Sequence, residues 1–408
     1  MPWGILAPDT IISQRRQQNL GLASAVRHFN DRSVPGLGGM WFPMPILWSV
    51  LAVSIAEELG VSALPVGNAV EALMMQKATE EGLADRRVRG LRKMQGLKDW
   101  SFKNLKRRGT YVVQPIRMAM VQPLVALGFV RGSRYGAFTI HTAGAQMLNL
   151  PVMADCRRIL SAWVHKKDPH EKDPHGLSKV IADLSPTAVV PYEVRKLILA
   201  RLIGGDDPSA SRRRALVELE TGPSASQLDA VEPLSGITAD HWTDLRAGAA
   251  FMDLRSAALA VLYRLEERLI QLRDANEAAW LPLDEANKTV GEPLAALRQC
   301  ARQLGARIDA ADESGSRKFL SEVRDLPDQQ LLQKLADRDG TVIRWRDDRI
   351  GLGPAAGEMP SIDADESVND AEFAPQLFRL FNLHCLATEL NGDVNPGCRD
   401  SAGEEPAS

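Results

Sequence analysis

The amino-acid sequence predicts a mainly helical protein with two small β-hairpins and more than one domain. Through most of the 408 residues, apolar side chains recur at the three- and four-residue spacing of a helix with one buried face. Alternating apolar residues around a turn occur near 128–140 and 341–352. The chain is longer than one ordinary domain, and its apolar share of 45% is enough for several cores.

We expect an N-terminal domain over 1–150 and a helical domain over 151–316 that contains a long helix at 238–276. A small helix–hairpin–helix region over 317–390 and a disordered tail over 391–408 complete the predicted organisation. The long helix is predicted from a stripe of large apolar residues: Leu245, Met252, Leu259, Leu262, Leu265, Leu269 and Leu272. Gly248 and charges at 266 and 267 interrupt this stripe, which favours an intramolecular helical bundle over a dimeric coiled coil.

The most apolar segment, "MWFPMPILWSVLAVSIAEELG", contains two prolines and ends in two glutamates, so we interpret it as a buried helix that ends at Gly60. A second helix is expected from an Asn68 cap to Gly82. The N-terminus lacks the pattern of a secretory signal. Four widely spaced cysteines argue against a zinc site or a disulfide framework. We therefore expect a cytoplasmic protein that does not enter a membrane.

Residues 82–109 form a strongly basic segment in a chain whose net charge is −3. Ten basic residues face two acidic ones there, which gives a local charge of +8. Such a patch supplies sequence-independent attraction to nucleic acid, although basic runs also form ordinary solvated helix faces. The basic residues that we expect to contact DNA in this segment are Arg86, Arg87, Arg89, Arg92, Lys93, Lys103, Lys106, Arg107 and Arg108.

A helix, a hairpin and a second helix are predicted in succession after the basic segment. The first helix covers 115–127, is kinked or split by Pro123, and ends at Gly128. Phe129, Phe138 and Ile140 are expected to point inward from the hairpin. The next helix begins near Thr142, which we expect to be its cap.

This order resembles the C-terminal half of a winged helix-turn-helix domain, on the match of "LGFV", "AFTI" and "HTAG" over about residues 50–150. The resemblance implies DNA binding. Arg131, Arg134 and Tyr135 would project from the wing, and Arg117, Gln114 and Gln122 would face the bases from the preceding helix. Two features depart from the family pattern: His141 replaces the usual Thr or Ser, and prolines lie at 115 and 123.

The second hairpin, at 341–352, has an Asp347–Asp348 tip and three arginines around Trp345. Two interpretations remain open for it: a second wing, or a small β-ribbon that packs on the helical bundle.

We find no catalytic signature in the sequence and expect no metal and no cofactor. Three histidines in the repeat "HKKDPHEKDPH" are crowded by lysines at a spacing unlike that of zinc loops, and "GGDDP" at 204–208 reads as the junction of two helices. The expected function is therefore non-enzymatic binding of double-stranded DNA, as a subunit of a larger bacterial complex. A protein–protein scaffold and a nuclease with an unrecognised site are the alternatives, and a role in anti-phage defence or a mobile element is a guess that no residue supports.

Overall fold

The computed structural model describes residues 18–166, 172–205, 207–219, 223–275, 280–308, 315–356 and 377–393. It confirms a mainly helical fold, with 63% helix and 4% strand. The α-helices are α1 (Ala23–Ser33), α2 (Met44–Leu59), α3 (Ala63–Met74), α4 (Gln76–Glu80), α5 (Leu91–Met94), α6 (Phe102–Leu105), α7 (Val121–Ala126), α8 (Thr142–Leu148), α9 (Pro151–His165), α10 (Leu177–Asp183), α11 (Tyr192–Leu202), α12 (Pro208–Leu216), α13 (Ala225–Ala230), α14 (Ala239–Asp274), α15 (Leu283–Thr289), α16 (Gly291–Gly305), α17 (Ser316–Asp325), α18 (Asp328–Asp339) and α19 (Phe378–Asn391).

The strands form two small antiparallel sheets. Strands β1 (Val130–Arg131) and β2 (Thr139–Ile140) make a two-stranded hairpin. Strands β3 (Trp280–Pro282), β4 (Ile343–Arg346) and β5 (Arg349–Leu352) make a three-stranded sheet in the order β3-β5-β4. The hairpin predicted at 341–352 is therefore confirmed, and a third strand pairs with it, so it is more than a two-stranded ribbon.

The chain folds into two compact units. Among the described residues, the hairpin unit takes its residues from 30–223, 231–242 and 377–393, and the sheet unit from 18–29, 224–230 and 243–356. This division differs from the boundaries predicted at 150 and 316. Helix α9 buries Met153, Leu160 and Trp163 and packs against α2 and α8, so residues beyond 150 share a core with those before it.

The central helix of the hairpin unit is α2, which is buried on all sides from Met44 to Ala56. It ends as predicted at Gly60, whose φ of 65° is the left-handed conformation that glycine adopts without strain. Helix α3 packs against it but begins before the predicted Asn68 cap. Ser62 is the cap instead, because its side chain accepts a hydrogen bond from the Leu64 amide.

In the sheet unit, the two-residue tip Asp347–Asp348 has φ values of 49° and 54°. Positive φ at both tip residues suits the right-handed twist of the two strands, and Asp tolerates this conformation better than most residues. Helices α15 and α18 pack against the sheet. The stripe predicted for the long helix is buried throughout α14, which is about 54 Å long at 1.5 Å per residue.

The remaining predictions concern membrane-spanning helices, the cysteines, residues 204–208, the C-terminal tail and the histidine repeat. In the described residues, no helix has the length and apolar character needed to cross a membrane. Cys385 is disulfide-bonded, which the spacing of the cysteines did not predict, whereas Cys156 and Cys300 are free. Asp207 caps α12, which supports the interpretation of 204–208 as a helix junction. The tail beyond 393 and the repeat residues His170 and Asp168 lie outside the described residues.

Candidate nucleic-acid interface

The β1–β2 hairpin lies between two short helices, as the sequence predicts. Phe129 and Phe138 are buried, and Ile140 is half-buried. Helix α8 follows and begins at Thr142, so the predicted cap is its first residue; His141 occupies the N-cap position, and its side chain makes no capping hydrogen bond. A Cβ atom at Gly144 would lie 2.3 Å from the Phe129 carbonyl oxygen, so glycine is needed for α8 to pack this closely on the hairpin. The predicted order of elements is confirmed, and the winged-helix assignment stays a hypothesis.

Tyr135 does not project from the hairpin tip, and the prediction of an exposed Tyr135 is wrong. Its side chain is 6% exposed and lies against Gly67 of α3 and against the ring of Phe138. Burial raises the pKa of Tyr135 to about 12, against an opposing hydrogen bond with Ser49. A Tyr after a basic turn is compatible with either orientation, so the sequence alone did not distinguish them.

Arg131 and Arg134, by contrast, are exposed as predicted. Neither side chain makes a hydrogen bond or an ion pair with any part of the chain that the structure describes. Glu57 is the acidic residue next to this hairpin, and its carboxylate accepts a hydrogen bond from the Ile140 amide. This bond fixes the hairpin to α2, and a second bond fixes it to the start of α3, because Ser62 donates to the Gly136 carbonyl oxygen.

The predicted helix over 115–127 is split into a 3₁₀ turn, Ile116–Met118, and helix α7. The split falls before Pro123, which occupies the first turn of α7, where proline needs no amide partner. Pro123 and Leu124 are buried, so α7 directs its middle into the protein. A six-residue helix of this kind does not provide the long exposed face that base recognition by Arg117, Gln114 and Gln122 would require.

Arg117 belongs to a buried network around Glu71, a residue that is not among those predicted for the site. Glu71 is 2% exposed, accepts hydrogen bonds from the Ile116 and Arg117 amides, and accepts a third from the Tyr111 hydroxyl. The Arg117 guanidinium pairs with this carboxylate at 3.4 Å and donates to Asn68 at 3.0 Å. The prediction that Arg117 faces DNA is corrected: its side chain is 11% exposed and occupied inside the protein.

Burial raises the pKa of Glu71 above its usual value, against the opposing effects of Arg117, the two backbone amides and Tyr111. Burial likewise raises the pKa of Tyr111, helped by the neighbouring carboxylate. One signal in the sequence pointed to this cluster, namely a lone glutamate in the apolar helix "ALPVGNAVEALM". A buried carboxylate of this kind stabilises the fold when all of its hydrogen-bonding positions have partners.

The two predicted glutamines have different surroundings. Gln122 is exposed at α7 and exchanges hydrogen bonds with Asp31 and Arg379, which holds it to the ends of α1 and α19. Gln114 is half-buried in the connection before the 3₁₀ turn. Among the described residues, no hydrogen bond joins either glutamine to Arg131 or Arg134.

The basic segment divides into buried and exposed cations. Arg87 and Arg89 are buried, and Arg87 makes a two-pronged ion pair with Asp85. Arg86 lies over the Trp41 ring, with its guanidinium carbon 4.3 Å from the ring centroid. These three residues stabilise the fold, which corrects the prediction for Arg87 and Arg89 as DNA contacts. The exposed cations of the segment are Arg92, Lys93, Lys98, Lys103, Lys106, Arg107 and Arg108.

Helix α3 connects the exposed part of the basic segment to the hairpin. At its start, Ser62 bonds the hairpin loop; six residues later, Asn68 donates to the Leu105 carbonyl oxygen at the end of α6. Six residues of helix span about 9 Å. The turn with Arg131 and Arg134 and the segment with Lys103, Lys106, Arg107 and Arg108 are therefore both attached to α3, at points about 9 Å apart along its axis. We call these six exposed residues the α3 basic surface.

Among the described residues, no group of three or more histidines, cysteines or carboxylates could hold a metal ion. In comparisons with known proteins, no family model, no curated protein and no solved structure matches this chain.

Proposed function

We propose that this protein binds double-stranded DNA through the α3 basic surface, without acting on it chemically, as one subunit of a larger assembly. The observation that carries the proposal is the set of exposed cations around α3. Arg107, Arg108, Arg131 and Arg134 make no ion pair among the described residues, and all lie within a chain of net negative charge. A phosphate backbone is attracted to exposed cations, and these lie on segments that are bonded to α3.

The α3 basic surface consists of two groups of cations. One group of these cations lies on the hairpin and the other lies in and after α6, and each group is attached to α3 by a hydrogen bond. In the proposed complex, both groups contact phosphates of the duplex. Each neutralised phosphate releases bound counterions, and this release provides most of the affinity at low salt.

The proposal concerns the phosphate backbone and not the bases. Arg117 is engaged by Glu71 and Asn68, and α7 is too short and too buried to enter a groove along its length. We therefore expect weak discrimination between DNA sequences, in contrast to the base recognition that the resemblance implies.

The test is charge reversal at the hairpin, Arg131→Glu with Arg134→Glu, measured by fluorescence anisotropy with a labelled duplex of about 20 base pairs at low salt. Two phosphate partners are lost and two repulsive charges are added, so affinity should fall more than about tenfold. The matched control is Lys318→Glu with Lys334→Glu, which makes the same charge change at exposed sites on α17 and α18. Equal losses in both variants would indicate only a net-charge effect and would contradict the proposal.

A scaffold that binds proteins is the second candidate, and one observation favours it. Val61 and Leu64 are each 50% exposed beside the loop that carries Arg131 and Arg134. Exposed apolar residues next to a charged turn are common in protein interfaces. If duplex binding is absent while Val61→Ser with Leu64→Ser abolishes capture of a partner protein from native extract, the scaffold function replaces DNA binding.

A further inference from the structure

The three-stranded sheet has one buried face and one exposed face. The pairing places Trp280, Gly351 and Arg344 in one row across the sheet, and Pro282, Arg349 and Arg346 in the next. Because side chains alternate along a strand, these six residues share a face. The opposite face carries Leu281, Ile343 and Ile350, which are buried in the core.

The exposed face carries an ordered aromatic and cationic arrangement. A Cβ atom at Gly351 would lie 2.6–2.8 Å from three atoms of the Trp280 ring, so the ring lies directly on the backbone of β5. The Arg344 guanidinium lies over the same ring, 5.0 Å from its centroid. The tryptophan thus holds a planar, exposed cation in place, at less entropic cost than a free side chain would require.

Two further arginines face each other beside this arrangement. Arg346 and Arg349 are direct cross-strand partners and both are exposed. Like charges directly opposite each other destabilise a sheet, so this pair has no structural benefit. Arg346 pairs with Asp347, but both side chains are more than 70% exposed and such pairs are weak. Arg349 makes no ion pair among the described residues.

We propose that this sheet face binds a single strand of nucleic acid. A single strand offers phosphates for Arg346 and Arg349 together with unstacked bases that can lie on the guanidinium plane of Arg344. Along β4, Arg344 and Arg346 are two residues or about 7 Å apart, and Arg349 lies directly across from Arg346 on the neighbouring strand. The charge of the face is complementary to this ligand and unlike the apolar centre of a typical protein interface. This inference does not depend on duplex binding by the hairpin unit.

The test uses fluorescence anisotropy with a labelled oligonucleotide of twenty thymidines at low salt. Arg346→Glu with Arg349→Glu should weaken binding more than about tenfold, whereas the control Lys318→Glu with Lys334→Glu, on helices of the same unit, should weaken it less than about threefold. The reversal leaves four consecutive acidic side chains at 346–349, so circular dichroism must show that the variant is folded, and the neutral variant Arg346→Ala with Arg349→Ala is measured beside it. Duplex affinity should be unchanged in the sheet variant, which separates this site from the α3 basic surface.

Arg344→Lys distinguishes stacking from charge alone. It keeps the positive charge but removes the guanidinium plane, so affinity should fall about fivefold while the slope of log affinity against log salt stays the same. Neutralising Arg346 and Arg349 to Ala should lower that slope by about 1.4. Wild-type protein that does not bind the oligonucleotide, or a sheet variant that binds it as well as the control, would overturn the proposal.

Discussion

The ring of Tyr135 occupies the space beside Gly67 where any other residue would carry its Cβ atom. Three atoms of the tyrosine side chain lie 2.6–2.9 Å from that position. The hairpin that presents Arg131 and Arg134 is therefore fixed to α3 by close packing as well as by the bond between Ser62 and Gly136. The orientation of the candidate DNA contacts depends on this packing.

Tyr135→Ala should destabilise the protein by about 3–5 kcal/mol, because a buried aromatic side chain is removed and a cavity is left. A projecting tyrosine on an exposed turn would instead cost about 0.5 kcal/mol or less. Urea unfolding followed by circular dichroism separates the two outcomes. Arg134→Ala, one residue earlier, is the control and should leave the unfolding midpoint nearly unchanged.

Gly67→Ala should also destabilise the fold, by up to about 2 kcal/mol. The added methyl group collides with the Tyr135 ring, which outweighs the gain of about 1 kcal/mol that alanine usually gives inside a helix. Gly291→Ala in α16 is the matched control, since its added Cβ would meet no atom within 4 Å. An equal or higher melting temperature for Gly67→Ala would show that the ring does not pack against α3 in solution.

The sequence predicted helices and hairpins better than it predicted the roles of individual side chains. The end of α2 at Gly60, the hairpins and the helix after Thr142 followed from local patterns, because glycine punctuation and apolar spacing act over a few residues. The roles of Arg117 and Tyr135 did not follow. Each depends on a partner in α3, Glu71 or Gly67, that is more than 40 residues away in the sequence.

The basic segment shows the same limit. Its charge of +8 is a property of composition, but composition does not separate Arg87, which pairs with Asp85, from Arg108, which faces solvent. Local sequence patterns also do not predict how the chain divides into units, because the packing of α9 on α2 joins residues on both sides of the predicted boundary at 150.

Glu71→Gln should change how stability depends on pH. Burial raises the pKa of Glu71 in the folded protein, so its contribution to stability is complete below about pH 4.5 and decreases as the pH rises through the folded value. Glutamine does not ionise. Relative to wild type, the variant should therefore be more stable at pH 7 than at pH 4, with a larger free energy of unfolding. Urea titrations at both pH values measure this difference, and the opposite sign would mean that Arg117 and the amides outweigh burial.

Arg117→Ala should reduce stability and leave DNA binding nearly unchanged. The substitution leaves the buried Glu71 carboxylate without its cation, a loss that typically costs about 3–5 kcal/mol. Thermal unfolding measures the first effect, and duplex anisotropy at a temperature where the variant is folded measures the second. A folded variant that loses preference for one DNA sequence would restore Arg117 as a base contact.

The salt dependence of duplex binding tests the central claim most directly. Anisotropy titrations at several salt concentrations should give a linear fall of log affinity with log salt for the wild-type protein. Arg131→Ala with Arg134→Ala should reduce the slope by about 1.8, the value for two lost phosphate contacts, while Arg134→Ala alone should reduce it by about half as much. Wild-type protein that shows no salt-dependent binding to a duplex even at low ionic strength, or a slope that the double variant leaves unchanged, would contradict DNA binding through the α3 basic surface.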